Sequence, residues 1–87
     1  MVKKLEQIAN HYGFEVQSNQ LIEEMAELTQ ALNKYKRYGI IENIIEEIAD
    51  VEVMLEQIKI LLAIPQNSID SIKEEKIDRQ IKRISKE

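Results

Sequence analysis

The chain has 87 residues, 44% of them hydrophobic and 32% charged, with a formal net charge of −4. It contains no cysteine, which excludes disulfides and thiolate metal sites. The acidic balance argues against a nucleic-acid partner, and no apolar run reaches membrane-spanning length, so we expect a soluble, cytoplasmic protein without nucleic-acid or membrane partners.

With one Phe and three Tyr, any core must come from aliphatic helix faces. Gly13, Gly39 and Pro65 divide the chain into four segments, each readable as a helix. In the first, Val2, Leu5, Ile8, Ala9 and Tyr12 recur at helical spacing, and Gly13 suits the position just past a helix C-terminus. Ser18 or Asn19 can cap a second helix running to about Tyr38. A third is expected from about Ile40 to Ile64, stopped before Pro65. Asn67 or Ser68 then caps a fourth reaching toward Ile84. Strand alternation is nowhere sustained. The expectation is an all-α, four-helix bundle-like domain over residues 1–87. At this length a lone core is marginal, so a second copy is expected to complete it.

The segment "EEMAE" at 23–27 returns as "EEIAD" at 46–50. On a helical wheel, Leu21, Met25, Leu28, Leu32 and Tyr35 form one apolar stripe and Ile44, Val51, Leu55, Ile58 and Leu62 another. Glu23 and Glu46 point outward. Glu24 and Glu27 lie on the flank of the first stripe, Glu47 falls inside the second, and Asp50 sits at its edge. Most acids on helices form a solvated face, and that reading suffices for Glu23, Glu46, Glu52 and Glu56. It fails for Glu47, because burying an unpaired carboxylate costs several kcal/mol. If the two helices pack antiparallel, the i, i+3 pairs converge, and four carboxylates in one volume need a cation among them. All-oxygen ligation favours Mg²⁺ or Mn²⁺. The sole histidine, His11, occupies no ligand-like spacing and reads as a surface residue.

Glu24-x-x-Glu27 followed by Glu47-x-x-Asp50, within "QLIEEMAELTQAL" and "IIEEIADVEVML", resembles the MazG-like branch of the all-α nucleoside triphosphate pyrophosphohydrolases. The resemblance implies Mg²⁺-dependent cleavage of an NTP or dNTP to monophosphate and pyrophosphate, by activated water attacking the α-phosphorus. It carries metal binding onto Glu24, Glu27, Glu47 and Asp50, with Glu24 the candidate to orient or deprotonate the water. It also implies self-association as a homodimer or homotetramer.

Lys76, Arg79 and Arg83 share one arc of the last helix beside Ile69 and Ile72. They read either as a phosphate clamp or as cations complementing the helix dipole and pairing with Glu74, Glu75 and Asp78. Lys34 is a further candidate phosphate contact, although basic residues ending a helix also serve the dipole. Gln17, Gln20 and Asn43 can hydrogen-bond a base, but capping and solvation explain them better. The rival reading is a non-catalytic helical interaction or regulatory module, which would have no use for acids on an inward stripe.

Overall fold

A computed structural model describes residues 1–87. It is all-helical: α1 spans Val2–Tyr38, α2 Glu42–Leu61 and α3 Gln66–Lys86, with no strand. The expected separation of two helices at Gly13 takes the form of a kink. Gly13 has φ 86 and ψ 173, a conformation almost reserved for glycine, and helical hydrogen bonding resumes at once on either side. The span Val2–Tyr38 is therefore two helical arms meeting at Gly13, as the division of the chain there led one to expect. Ser18, expected as a cap, lies inside the second arm and donates from Oγ to the Glu15 carbonyl.

The other boundaries have local causes. Gly39, in the left-handed region at φ 69, closes α1 by donating its N–H to the Tyr35 carbonyl at 2.8 Å. At the end of α2 the Ile64 N–H bonds to the Lys59 carbonyl and the Ala63 N–H to that of Ile60. This is the paired-carbonyl closure of a Schellman motif, with Ala63 at φ 52 where glycine is usual. Pro65, extended at ψ 143, then takes the cap position and leads directly into α3, two or three residues before the expected caps Asn67 and Ser68.

The second arm of α1 packs antiparallel on α2. Gln17 meets Gln57, Glu24 meets Asp50 and Glu27 meets Glu47, so each step back along one helix is matched by a step forward along the other. The inward positions of α1 are Gln17, Leu21, Glu24, Leu28 and Ala31; those of α2 are Ile44, Glu47, Val51, Met54, Ile58 and Leu61, with Gln57 buried beside Met54. Both lines advance by alternating steps of three and four, the spacing of a coiled-coil seam. This corrects the apolar stripes drawn from the sequence. Met25, Leu32, Tyr35, Leu55 and Leu62 are exposed, and the true seam is rotated so that Glu24 and Gln17 lie on it.

The chain does not close a four-helix bundle on itself. Only α1 and α2 pack extensively, while α3 contains no buried residue. The radius of gyration is 16.0 Å, against about 12 Å for a compact domain of this length. No helix is long and apolar enough to cross a membrane.

Candidate carboxylate site

The site lies on the α1–α2 seam, between Ala31 and Ile44 toward the hairpin and the Gln17–Gln57 pair toward the other end. Glu24 and Glu27 rise from α1 one turn apart; Glu47 and Asp50 face them from α2. Carboxylate oxygens of Glu24, Glu27 and Glu47 lie within 4.8 Å of one another. Glu24, Glu47 and Asp50 are half-buried, and Glu27 is exposed at the rim. Glu23 and Glu46 point to solvent, as their wheel positions required.

Two oxygens are anomalous. Oε2 of Glu24 and Oε2 of Glu47 are both buried and without a hydrogen-bond partner. Buried polar atoms are normally satisfied, because an orphaned one forfeits its hydration without return. Gln20 compensates Glu24 in part, donating from Nε2 to Oε1 at 2.8 Å.

The electrostatics agree with the geometry. The Glu47 carboxyl is pushed above the ordinary carboxylate range first by burial, then by the charge of Glu27 and a hydrogen bond that protonated Glu47 donates to it, then by Asp50 and Glu24. Asp50 is raised first by burial, then by the charge of Glu24 and a hydrogen bond donated to Glu24. No cationic side chain offsets this charge: the chain's one ion pair joins Lys59 to Glu56.

Such a donor set fits a hard divalent cation. The ligands are all oxygen, they converge from two rigid helices, and two of them have free lone pairs in a buried position. Glu24, Glu27 and Glu47 form the nucleus, with Asp50 joined through Glu24.

The basic candidates stand elsewhere. Lys34 is exposed on α1, two turns beyond Glu27. Lys76, Arg79 and Arg83 are exposed on α3 and make no hydrogen bond or ion pair with α1 or α2. Gln17, which as a sequence read better as solvating, is instead buried, donating from Nε2 to Oε1 of Gln57. Gln57 adds a long contact to Met54 Sδ at 3.8 Å. The Gln20–Glu24 support went unrecognised in the sequence, although an i, i+4 Gln–Glu spacing beside the first acidic pair signals it.

Compared with protein-family models, with curated proteins and with solved structures, the chain matches none at a significant level. What fold and site define is therefore a class: an all-α protein with an acidic cluster built into a helix–helix seam.

Proposed function

We propose that the chain is an Mg²⁺-dependent nucleoside triphosphate pyrophosphohydrolase, releasing a nucleoside monophosphate and pyrophosphate. The observation that carries this reading is the pair of orphaned buried oxygens, on Glu24 and Glu47, inside a three-carboxylate cluster. The resemblance of the two acidic motifs to the MazG-like pyrophosphohydrolases supplies the reaction.

Glu24, Glu27, Glu47 and Asp50 would hold the cation; Mn²⁺ suits the same ligands. When bound, Mg²⁺ supplies neutralisation of phosphate oxygens and acidification of water. The chain's own contribution is placement. Gln20 steadies the Glu24 carboxylate through Oε1, and Glu24 is the residue proposed to orient or deprotonate the water. Glu27, exposed at the rim, presents its carboxylate to an incoming complex of cation and triphosphate. Lys76, Arg79, Arg83 and Lys34 are the residues proposed to contact phosphate. The non-catalytic interaction module accounts for the exposed apolar faces, but it leaves the acids on the seam without a reason.

The test is incubation with a panel of NTPs and dNTPs plus Mg²⁺, following monophosphate and pyrophosphate. Orthophosphate as the product would overturn the bond assignment, and no turnover on any substrate would overturn the enzymatic reading.

A further inference from the structure

Gln20 stands one turn before Glu24 on the second arm of α1, half-buried at the edge of the seam. Side chains four apart on a helix meet without any change in the backbone. The 2.8 Å bond from Gln20 Nε2 to Glu24 Oε1 therefore needs only two side-chain rotamers to be fixed. It is the one hydrogen bond that a side chain outside the cluster donates to any of its four acids.

What the bond restrains is a costly arrangement. The other oxygen of the same carboxylate, Oε2, is buried and has no partner. A glutamate at a half-buried position has the torsional freedom to turn such an oxygen out to water, and the gain in hydration favours that turn. Held at Oε1, Glu24 stays in the seam with Glu27 and Glu47.

The choice of donor carries the second half of the inference. A lysine at position 20 would reach Glu24 from the same turn and bond it more strongly, since charge-assisted bonds are roughly twice as strong as neutral ones. It would also cancel charge inside the cluster. The amide orients Glu24 and cancels none. The seam keeps to this pattern beyond the cluster, where Gln17 and Gln57 bond each other, and the chain's one ion pair, Lys59 with Glu56, does not involve the four acids.

Taking the four acids as a cation site, the reading on which this inference rests, we propose that Gln20 is its positioning residue. It holds Glu24 in the cluster through a neutral donor, and that neutrality keeps the cluster a receptor for a divalent cation instead of an internal salt bridge.

The test is calorimetric titration with Mg²⁺ alone, beside thermal melting in chelator, on wild type, Gln20→Met and Gln20→Lys. Gln, Met and Lys have similar helix propensities, so α1 should keep its helicity by circular dichroism in all three. Gln20→Met retains the length of the side chain without the donor, and its Mg²⁺ affinity should fall about 10–100-fold. Gln20→Lys should lose affinity at least as far while its Tm in chelator rises above wild type. Damaged packing does not raise metal-free stability, so the two changes together single out the charge. Wild-type affinity in Gln20→Met would overturn the positioning role, and wild-type affinity in Gln20→Lys would overturn the argument from neutrality. A wild type that takes up no Mg²⁺ would overturn the cation site and this inference with it. The expected differences in a protein that hydrolyses no nucleotide would support the inference and overturn the hydrolase reading alone.

Discussion

Glu47 faces Glu27 across the α1–α2 seam, with a carboxylate oxygen of each within 4.8 Å of the other. Helix partners of this size normally place apolar residues at such positions. Here the same register sets Glu24 against Asp50 and Gln17 against Gln57, so polar pairs interrupt an otherwise aliphatic seam of Leu21, Leu28, Ala31, Ile44, Val51, Met54 and Ile58.

Replacing Glu47 by Gln separates charge from shape. The amide keeps the shape while removing the charge that Glu27, Asp50 and Glu24 repel. Without metal, the Glu47→Gln protein is expected to melt a few degrees above wild type near neutral pH. With Mg²⁺ and substrate it should lose at least roughly 100-fold in turnover, beyond the range seen for partners that merely support a metal ligand. Calorimetry with and without Mg²⁺, beside a pyrophosphate-release assay, checks both. Wild-type turnover would remove Glu47 from the site.

The pH dependence of the metal-free protein has a defined direction. Glu47 and Asp50 ionise less readily folded than unfolded, so between their ordinary and raised pKa values the folded chain binds more protons. Stability contributed by these two groups therefore falls as pH rises through that window and stays low above it. A saturating divalent cation reverses the preference, since it binds the ionised folded state; at 100 times Kd it adds about 2.7 kcal/mol. The expected result is a Tm that drops from mildly acidic to neutral buffer in chelator and recovers in Mg²⁺. A Tm indifferent to Mg²⁺ at neutral pH would mean that the cluster holds no cation.

How far the sequence reveals this arrangement depends on which force fixes each part. Gly39 ends α1 and Pro65 opens α3 through backbone geometry that acts within a few residues, so both are legible. The closure of α2 at Leu61, before the expected Ile64, depends on Ala63 turning left-handed and is not. The inward direction of Glu47 is legible too, because its neighbours on the wheel, Val51 and Met54, are apolar. The seam of α1 is not. Hydrophobicity alone favours Met25, Leu32 and Tyr35 for the interior, whereas antiparallel register with α2 turns Gln17 and Glu24 inward. Register is a property of two helices together, and one helix's periodicity does not contain it. The detached α3 is equally invisible to pattern reading, since an amphipathic stripe looks the same whether its partner is its own chain or another.

The Gln17–Gln57 pair offers a cleaner measure of polar burial than the carboxylates. Gln57 is almost fully buried, and its Oε1 accepts from Gln17 Nε2. Gln57→Leu removes that acceptor and strands the Gln17 amide, which is expected to cost about 1–3 kcal/mol. Changing both residues to Leu removes the stranded group and should recover most of the loss. A double-mutant cycle by urea unfolding checks this, with a coupling well outside error expected for residues in contact. Additive losses would show that the two side chains do not act as a pair.

Ala63 gives a prediction that touches neither site nor seam. It holds φ 52 at the close of α2, where its N–H and that of Ile64 satisfy the Ile60 and Lys59 carbonyls. A side chain bearing Cβ pays roughly 1–2 kcal/mol to sit in the left-handed region. Glycine avoids that strain but loses more freedom on folding, by about 0.4–1 kcal/mol. Ala63→Gly should therefore stabilise the chain by the difference, about 0.5–1 kcal/mol, with metal response unchanged. Because Ala63 is exposed and its side chain is a single methyl group, little packing is lost to confuse the result. Urea midpoints at equal slope measure the effect directly. A lower midpoint for Ala63→Gly would mean that α2 ends in solution by some closure other than the left-handed one.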